Sequence, residues 1–339
     1  MRKEYINLKS EELLALFRER GISDARPTKK NISSINTIGY YKLKQYAYAF
    51  WSEEINQYVC LNFGDLVNRY YRDQALKQVI FQIITDIECA LNVQIANVLG
   101  EEGPYEYLKF GTWCQRNSKN RYLHDQTMNK FKVKQEELRF LSNIQKKIRN
   151  SSFHDIEKYN FESSGVFPPV WLMVNALTMG ESVHLIKLMS RKRRQSVASF
   201  FKMNEETLLS YLGMLNLVRN ICCHNGNLVD LKVRRIPSLP NTYKKYLILN
   251  RHNLATVVCV LLEFMKAINP RHRVNALYSN LARVCDGQQR LVRKLGFKDF
   301  YSMKKVVFSF YEQRVIDFYP NGNVYVRETA KDHPDPIQT

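Results

Sequence analysis

The segment LVNRYYRDQALKQVIFQIITDIECALNVQIANVL, Leu66 to Leu99, decides how this chain folds. Leu76, Ile80, Ile83, Ile87, Leu91 and Val98 recur at the three- and four-residue steps that keep side chains on one face of an α-helix, and Gly100 follows them. Shorter stretches on either side share this character. Ser10 to Arg20 reads as a first helix, with Ser10 as N-cap, Glu11 and Glu12 in the first turn and Gly21 as the stop. Pro168 and Pro169 introduce a helix through Trp171, Val174 and Leu177, and Glu205 to His224 and Leu254 to Ile268 are two more. After Leu295-Gly296 the pattern changes. Val306-Val307-Phe308 and Val315 to Tyr319 read as β-like, and Pro320-Asn321-Gly322-Asn323 before Val324-Tyr325-Val326 signals a hairpin.

The expected fold class is therefore mainly α, a helical body with a small, partly β C-terminal appendage. Four parts are expected. Residues 1–110 form an N-terminal helical part with the Gly39-Tyr40-Tyr41 motif, and 111–167 a basic insertion. Residues 168–270 form a second helical part, and 271–339 the basic appendage.

The 339 residues are 45% hydrophobic, enough to bury a core and to exclude global disorder. Lys and Arg number 51 against 32 Asp and Glu, a formal charge of +19. So large a surplus predicts a polyanionic partner, either nucleic acid or an acidic membrane surface. The longest uncharged apolar run, Ala255 to Leu262, is too short to span a bilayer, and no apolar segment follows Met1-Arg2-Lys3-Glu4-Tyr5. Neither a membrane partner nor a signal peptide is expected, and the expected location is the cytoplasm. Seven cysteines without a C-x-x-C pair fit reduced thiols better than a disulfide framework or a structural zinc site. No metal or cofactor is expected, and the phosphate-cradling motifs of NTPases and dinucleotide enzymes are missing.

Two stretches concentrate the positive charge. Arg116 to Arg149 includes Lys130, Lys132, Lys134, Lys146 and Lys147, with Tyr122, Phe131 and Phe140 interleaved, and Arg191-Lys192-Arg193-Arg194 is a tighter cluster. Such cations neutralise phosphates and release counterions, while aromatics stack unpaired bases. The competing reading of either stretch is a solvated helix face with its aromatics in the core.

The catalytic candidate is Arg219-Asn220-Ile221-Cys222-Cys223-His224. Imidazole exchanges protons near neutral pH, and a guanidinium grips a phosphate at two oxygens and holds the charge that develops on it. Three Arg–His pairs of similar spacing occur, Arg219/His224, Arg149/His154 and Arg327/His333, so position has to decide between them. At 100° per residue Arg219 falls among Leu208, Leu212, Leu215 and Cys222, where an unpaired charge is costly. Asn220 and His224 share a neighbouring face, and Arg219 and His224 point about 140° apart on a straight helix. Two readings stay open: a catalytic site, or a buried Arg–Asn–His hydrogen-bond network that ties helices together.

Taken together, four landmarks resemble the Abi-like family of bacterial abortive-infection proteins, of the AbiD/AbiF type, over about residues 10 to 270. They are Ile38-Gly39-Tyr40-Tyr41-Lys42-Leu43 with Tyr46 and Phe50; Tyr70-Tyr71-Arg72-Asp73 with Leu76, Ile87-Glu88 and Leu91; Pro168-Pro169-Val170-Trp171 with Leu177 and Gly180; and Arg219 to Asn225. The resemblance implies an all-helical HEPN-type domain whose Arg-Asn-x-x-x-His motif is an endoribonuclease site. It also implies phage defence by a toxin–antitoxin arrangement, in some members with a small structured noncoding RNA. Asn92, Asn175 and Asn227 stand where the family often has charged residues.

The expected function is then an RNA-binding, metal-independent endoribonuclease toxin. His224 moves a proton while a ribose 2′-OH attacks the adjacent phosphate, Arg219 holds the developing charge, and Asn220 positions the motif. The expected partners are RNA and, through the motif helix, a second copy of the chain. The alternative is a non-catalytic RNA-binding protein whose motif is structural. A DNA-binding regulator, the third reading, has no helix-turn-helix signature to support it.

Overall fold

The computed structural model describes residues 7–157, 167–233, 237–248 and 253–312. Its twelve longer helices are α1 (Ser10–Glu19), α2 (Lys29–Ile38), α3 (Tyr40–Ala47), α4 (Phe63–Gly100), α5 (Lys130–Arg149), α6 (Met179–Leu188), α7 (Arg191–Phe200), α8 (Glu205–Cys223), α9 (Leu254–Ile268), α10 (Asn275–Cys285), α11 (Gln289–Leu295) and α12 (Phe300–Glu312). Strand content among the described residues is confined to two antiparallel pairs of two-residue strands, Trp51–Ser52 with Gln57–Tyr58 and Lys119–Asn120 with Gln126–Thr127. The chain is mainly α, as its periodicity predicts.

Helix α4 is the axis. Its 38 residues extend about 57 Å at 1.5 Å per residue. Asn62 starts it, accepting a hydrogen bond from the Asp65 amide at 2.7 Å. The predicted stripe of Leu76, Ile80, Ile83, Ile87, Leu91 and Val98 is buried throughout, against α10 along one side and α7, α9, α3, α8 and α6 around the rest. By length and composition alone α4 meets the requirements of a membrane span, which the sequence reading did not assign to it. Here it is the helix on which the others pack, and its buried face carries Arg69, Asp73 and Lys77.

Two local expectations are corrected. Lys9, not Ser10, occupies the N-cap of α1; Ser10 is already helical, and its hydroxyl donates to Asn36 Oδ1 at 2.6 Å. Val306-Val307-Phe308 is helical, within α12. Met303, Val306, Val307 and Phe310 are all buried, and that i, i+3, i+4, i+7 spacing seats α12 on α9 and α10. Packing of a helical face thus overrides the β preference of two adjacent valines. Residues 275–312 continue the helical body, whereas Val315–Tyr319 and the hairpin signal at 320–326 lie outside the described residues.

Close approach requires glycine at Gly21. It has φ +98°, and a Cβ there would stand 2.7 Å from the Tyr58 carbonyl oxygen. The α1 stop is therefore pinned to the first strand pair.

Candidate functional site

Helix α8 carries the motif. Asn204 caps it, accepting from the Thr207 amide at 2.8 Å, and Leu208, Leu212, Leu215 and Val218 fix its inner face in the core. Arg219 falls on the same face, half-buried, at its C-terminal end. Its Nε is buried without a hydrogen-bond partner, and it forms no ion pair among the described residues. Glu88 of α4 is the acid that feels its charge. Burial pushes the Glu88 carboxyl up, against the opposing pull of Arg219 and of the Met179 amide. Asn220 and His224 are exposed. His224 is the C-cap residue, held by its amide, which donates to the Asn220 carbonyl at 2.9 Å. Neither the Asn220 nor the His224 side chain makes a hydrogen bond among the described residues. Cys222 is inert beside them, burial pushing its thiol up.

A buried polar network does exist here, but it is made by the residues after the motif. Asn225 adopts φ 52°, in the left-handed region that Asn tolerates better than most side chains. Its Oδ1 accepts from Gln74 and, at 2.8 Å, from Lys77 Nζ, and its carbonyl accepts from Lys42 Nζ at 2.7 Å. Lys77 Nζ also donates to the Gly226 carbonyl at 2.8 Å and pairs with Asp73 at 2.9 Å. Asp73 Oδ1 accepts from the amides of Leu228 (3.2 Å) and Val229 (2.9 Å), and Oδ2 from the Tyr46 hydroxyl at 2.6 Å. Burial, reinforced by Asp73, drives the Tyr46 hydroxyl far above the ordinary tyrosine range, so it stays a donor. Arg69 closes the loop by pairing with Asp230 at 2.7 Å. Asp73 is fully buried and Lys77 nearly so.

The quoted sequence landmarks thus meet in space. The Gly-Tyr-Tyr helix supplies Lys42 and Tyr46, and α4 supplies Tyr70, Asp73 and Glu88. The Pro-Pro-x-Trp segment leads to Gly180, where a Cβ would stand 3.5 Å from Asn216 of α8. The three asparagines at variant positions are tied in as well. Asn92 Nδ2 donates to the Val174 carbonyl at 3.1 Å, Asn175 Nδ2 to that of Trp171 at 3.0 Å, and Asn227 Nδ2 to Asp230 Oδ2 at 2.8 Å. Lys77, Gln74 and Asp230 escaped the sequence reading, although Asp73 and Lys77 fall on the apolar stripe of α4 as Arg219 does on that of α8. A charge on a stripe was the available signal.

The basic clusters divide sharply. Arg194 is buried, paired with Glu205 at 2.8 Å and 5.0 Å from the Tyr122 ring centroid. Arg193 pairs with Glu102 at 2.7 Å and donates to the Val98 carbonyl at 2.8 Å. Lys132 pairs with Glu136 at 2.8 Å, and Lys134 and Lys147 pair with Glu137 and Glu181. Arg191 is exposed, with Glu205 at 3.6 Å; Lys130, Lys146 and Lys192 are exposed without a carboxylate partner among the described residues. The second pair, Arg149 and His154, is exposed without a side-chain hydrogen bond or ion pair among the described residues, and Arg327 and His333 lie outside the described residues. No cluster of three or more His, Cys, Asp or Glu side chains suited to a metal occurs among the described residues.

A profile of the family described as "Abi-like protein" matches residues 33–230, more than half of the chain. No curated protein and no solved structure gives a significant match.

Proposed function

This chain belongs to the Abi-like family, and from that premise we propose that it acts in abortive infection, the defence against phage, as an RNA-binding, metal-independent endoribonuclease of HEPN type. One observation carries the reading. Eight or more polar contacts lock residues 225–230 behind the motif, while the side chains of Arg219, Asn220 and His224 are left without hydrogen-bond partners among the described residues. A motif whose task was to tie helices together would itself be the network. Here the network holds the motif and the motif side chains are left to meet a ligand.

The chemistry follows from the groups. An exposed imidazole takes the proton from a ribose 2′-OH as the oxygen attacks phosphorus, and returns one to the departing 5′-oxygen. Arg219 supplies fixed positive charge to the phosphorane-like transition state. Because the two side chains point about 140° apart along α8, the complete site needs Arg219 of one chain and His224 of another. The second copy is placed at the C-terminal end of α8, where Arg219 and His224 lie about one and a half turns apart. In its resting state the enzyme is held by a structured noncoding RNA.

The test is cleavage of a single-stranded RNA against the same strand carrying 2′-deoxy sugars. The RNA is expected to be cut, leaving 2′,3′-cyclic phosphate ends, the deoxy strand to survive, and EDTA to have no effect, since each step is assigned to a side chain. Equal cutting of both strands, or activity lost to EDTA and restored by a divalent ion, would overturn the mechanism. Reversing the exposed pair with Arg191→Glu and Lys192→Glu should lower RNA affinity at 50 mM salt several-fold and flatten its salt dependence. Arg193 and Arg194 are left alone in that experiment because their internal partners make them part of the fold.

A further inference from the structure

Phe50, in the turn after α3, has three cations around its ring: Arg69, Arg290 and Lys294, at 5.5, 4.9 and 5.8 Å from the centroid. Arg69 is neutralised by Asp230. The other two are not. Arg290 donates to Gln288 Oε1 at 2.9 Å and to the Cys60 carbonyl at 3.4 Å, and Lys294 Nζ donates to the Ala49 carbonyl; neither has a carboxylate partner among the described residues. A ring quadrupole attracts each cation only weakly at an exposed site, while the cations repel one another. Burial, and then Arg69, Arg290 and Lys232 against the opposing pull of Asp230, hold the Lys294 ammonium below the ordinary lysine range. Such crowding is relieved by an anion.

Two features identify which anion. The recess of about 20 Å³ next to Phe50, lined by Arg69, Arg72, Asp65 and Asp286, holds no more than one water-sized group, so an anion meets Arg290 and Lys294 at the surface, outside it. Tyr48, two residues before Phe50, is 56% exposed, with Lys44 Nζ 5.6 Å from its ring centroid. Two surface cations without a carboxylate partner among the described residues, near an exposed aromatic ring, suit a single-stranded nucleic acid backbone with its bases turned outward. The same face is continuous with the loop behind the motif, since the Gln45 carbonyl accepts from Asn227 at 3.2 Å and Lys42 reaches the Asn225 carbonyl.

We propose that Arg290 and Lys294 hold successive phosphates of single-stranded RNA, that Tyr48 stacks one of its bases, and that the strand passes from this face along residues 225–230 to His224. The direction of the strand rests on the ribonuclease reading; the binding face does not. Arg290 and Lys294 belong to the expected basic appendage, and only the fold brings them to Phe50, some 240 residues earlier in the chain.

Binding is measured with the full chain by fluorescence anisotropy, using a labelled 2′-O-methyl uridine 12-mer that the proposed chemistry cannot cut, over a series of NaCl concentrations. Arg290→Gln with Lys294→Gln is expected to weaken binding at least tenfold at low salt and to reduce the log–log salt slope by about 1.4, two phosphate contacts at ~0.7 each. Tyr48→Ala is expected to weaken it about tenfold with the slope unchanged. The charge-keeping pair Arg290→Lys with Lys294→Arg should retain affinity, and melting curves establish that each variant is folded. Affinity and slope unchanged in the glutamine variant would overturn the proposal, as would equal losses with the charge-keeping pair. Wild-type RNA cleavage with undiminished binding in the glutamine variant sinks this face alone. Absent cleavage with the predicted binding losses sinks the ribonuclease reading alone.

Discussion

Arg219→Ala and His224→Ala are each expected to lower RNA cleavage by at least ~10²-fold, the usual cost of losing a general acid–base group or a charge-stabilising donor. Stability should hardly change. His224 is exposed, and Arg219 has no hydrogen bond or ion pair among the described residues to lose, so each variant should melt within a few degrees of the parent. The sharper experiment mixes the two inactive chains. If a site draws Arg219 from one chain and His224 from its partner, a dimer of one Arg219→Ala chain and one His224→Ala chain has one intact site and one doubly damaged site. Random pairing at equal concentrations puts half the chains in such dimers, so about a quarter of the parental activity should return. Activity that stays at the level of the single variants, together with a monomeric mass in solution, would exclude the shared site. An Arg219→Ala chain that melts far below the parent would instead favour a structural role for the motif.

The second large effect is expected far from any reacting atom. Asp73→Ala removes the buried acceptor of the Lys77 ammonium, the Tyr46 hydroxyl and the Leu228 and Val229 amides together. Breaking a buried pair from one side leaves the other charge uncompensated, at a cost of about 3–5 kcal/mol. In a chain of this size that corresponds to a fall in melting temperature on the order of 10 °C. Asp73→Asn keeps one oxygen for the two amides and should lose less. Adding Lys77→Met to Asp73→Asn should restore part of the loss, because the stranded ammonium is gone. Hydrogen exchange gives a local readout: the Leu228 and Val229 amides should exchange much faster in Asp73→Ala at temperatures where the rest of the chain stays protected. A variant that melts with the parent and keeps those amides protected would show that the network does not hold the loop.

Much of the molecule was legible in the sequence where the deciding information is local. A helix is fixed by residues three and four apart, so α4, α8 and α9 emerge from periodicity with ends within a few residues of the expected ones. The same arithmetic placed Arg219 in the middle of the apolar stripe of α8, where it is half-buried, and turned His224 away from it. It failed at Val306-Val307, where side-chain preference and helical spacing disagreed and contact with α9 and α10 settled the matter. The loop behind the motif was not legible at all, since Asp73 and Lys77 reach partners some 150 residues further along the chain.

Charge separates the two kinds of information most clearly. Total charge is a sum over residues, and the sequence alone determined that this protein carries an excess of +19. Where that excess is free is a matter of distance in space. Arg193 finds Glu102, Arg194 finds Glu205 and Lys147 finds Glu181, so the dense runs that stand out in the sequence are largely neutralised. Arg290 and Lys294, in the stretch expected to be a basic appendage, meet at Phe50 without a carboxylate partner among the described residues. Hydrogen bonds reach only about 3 Å and screened Coulomb attraction about a Debye length, ~10 Å at 0.1 M salt, and only the tertiary structure decides which groups come that close.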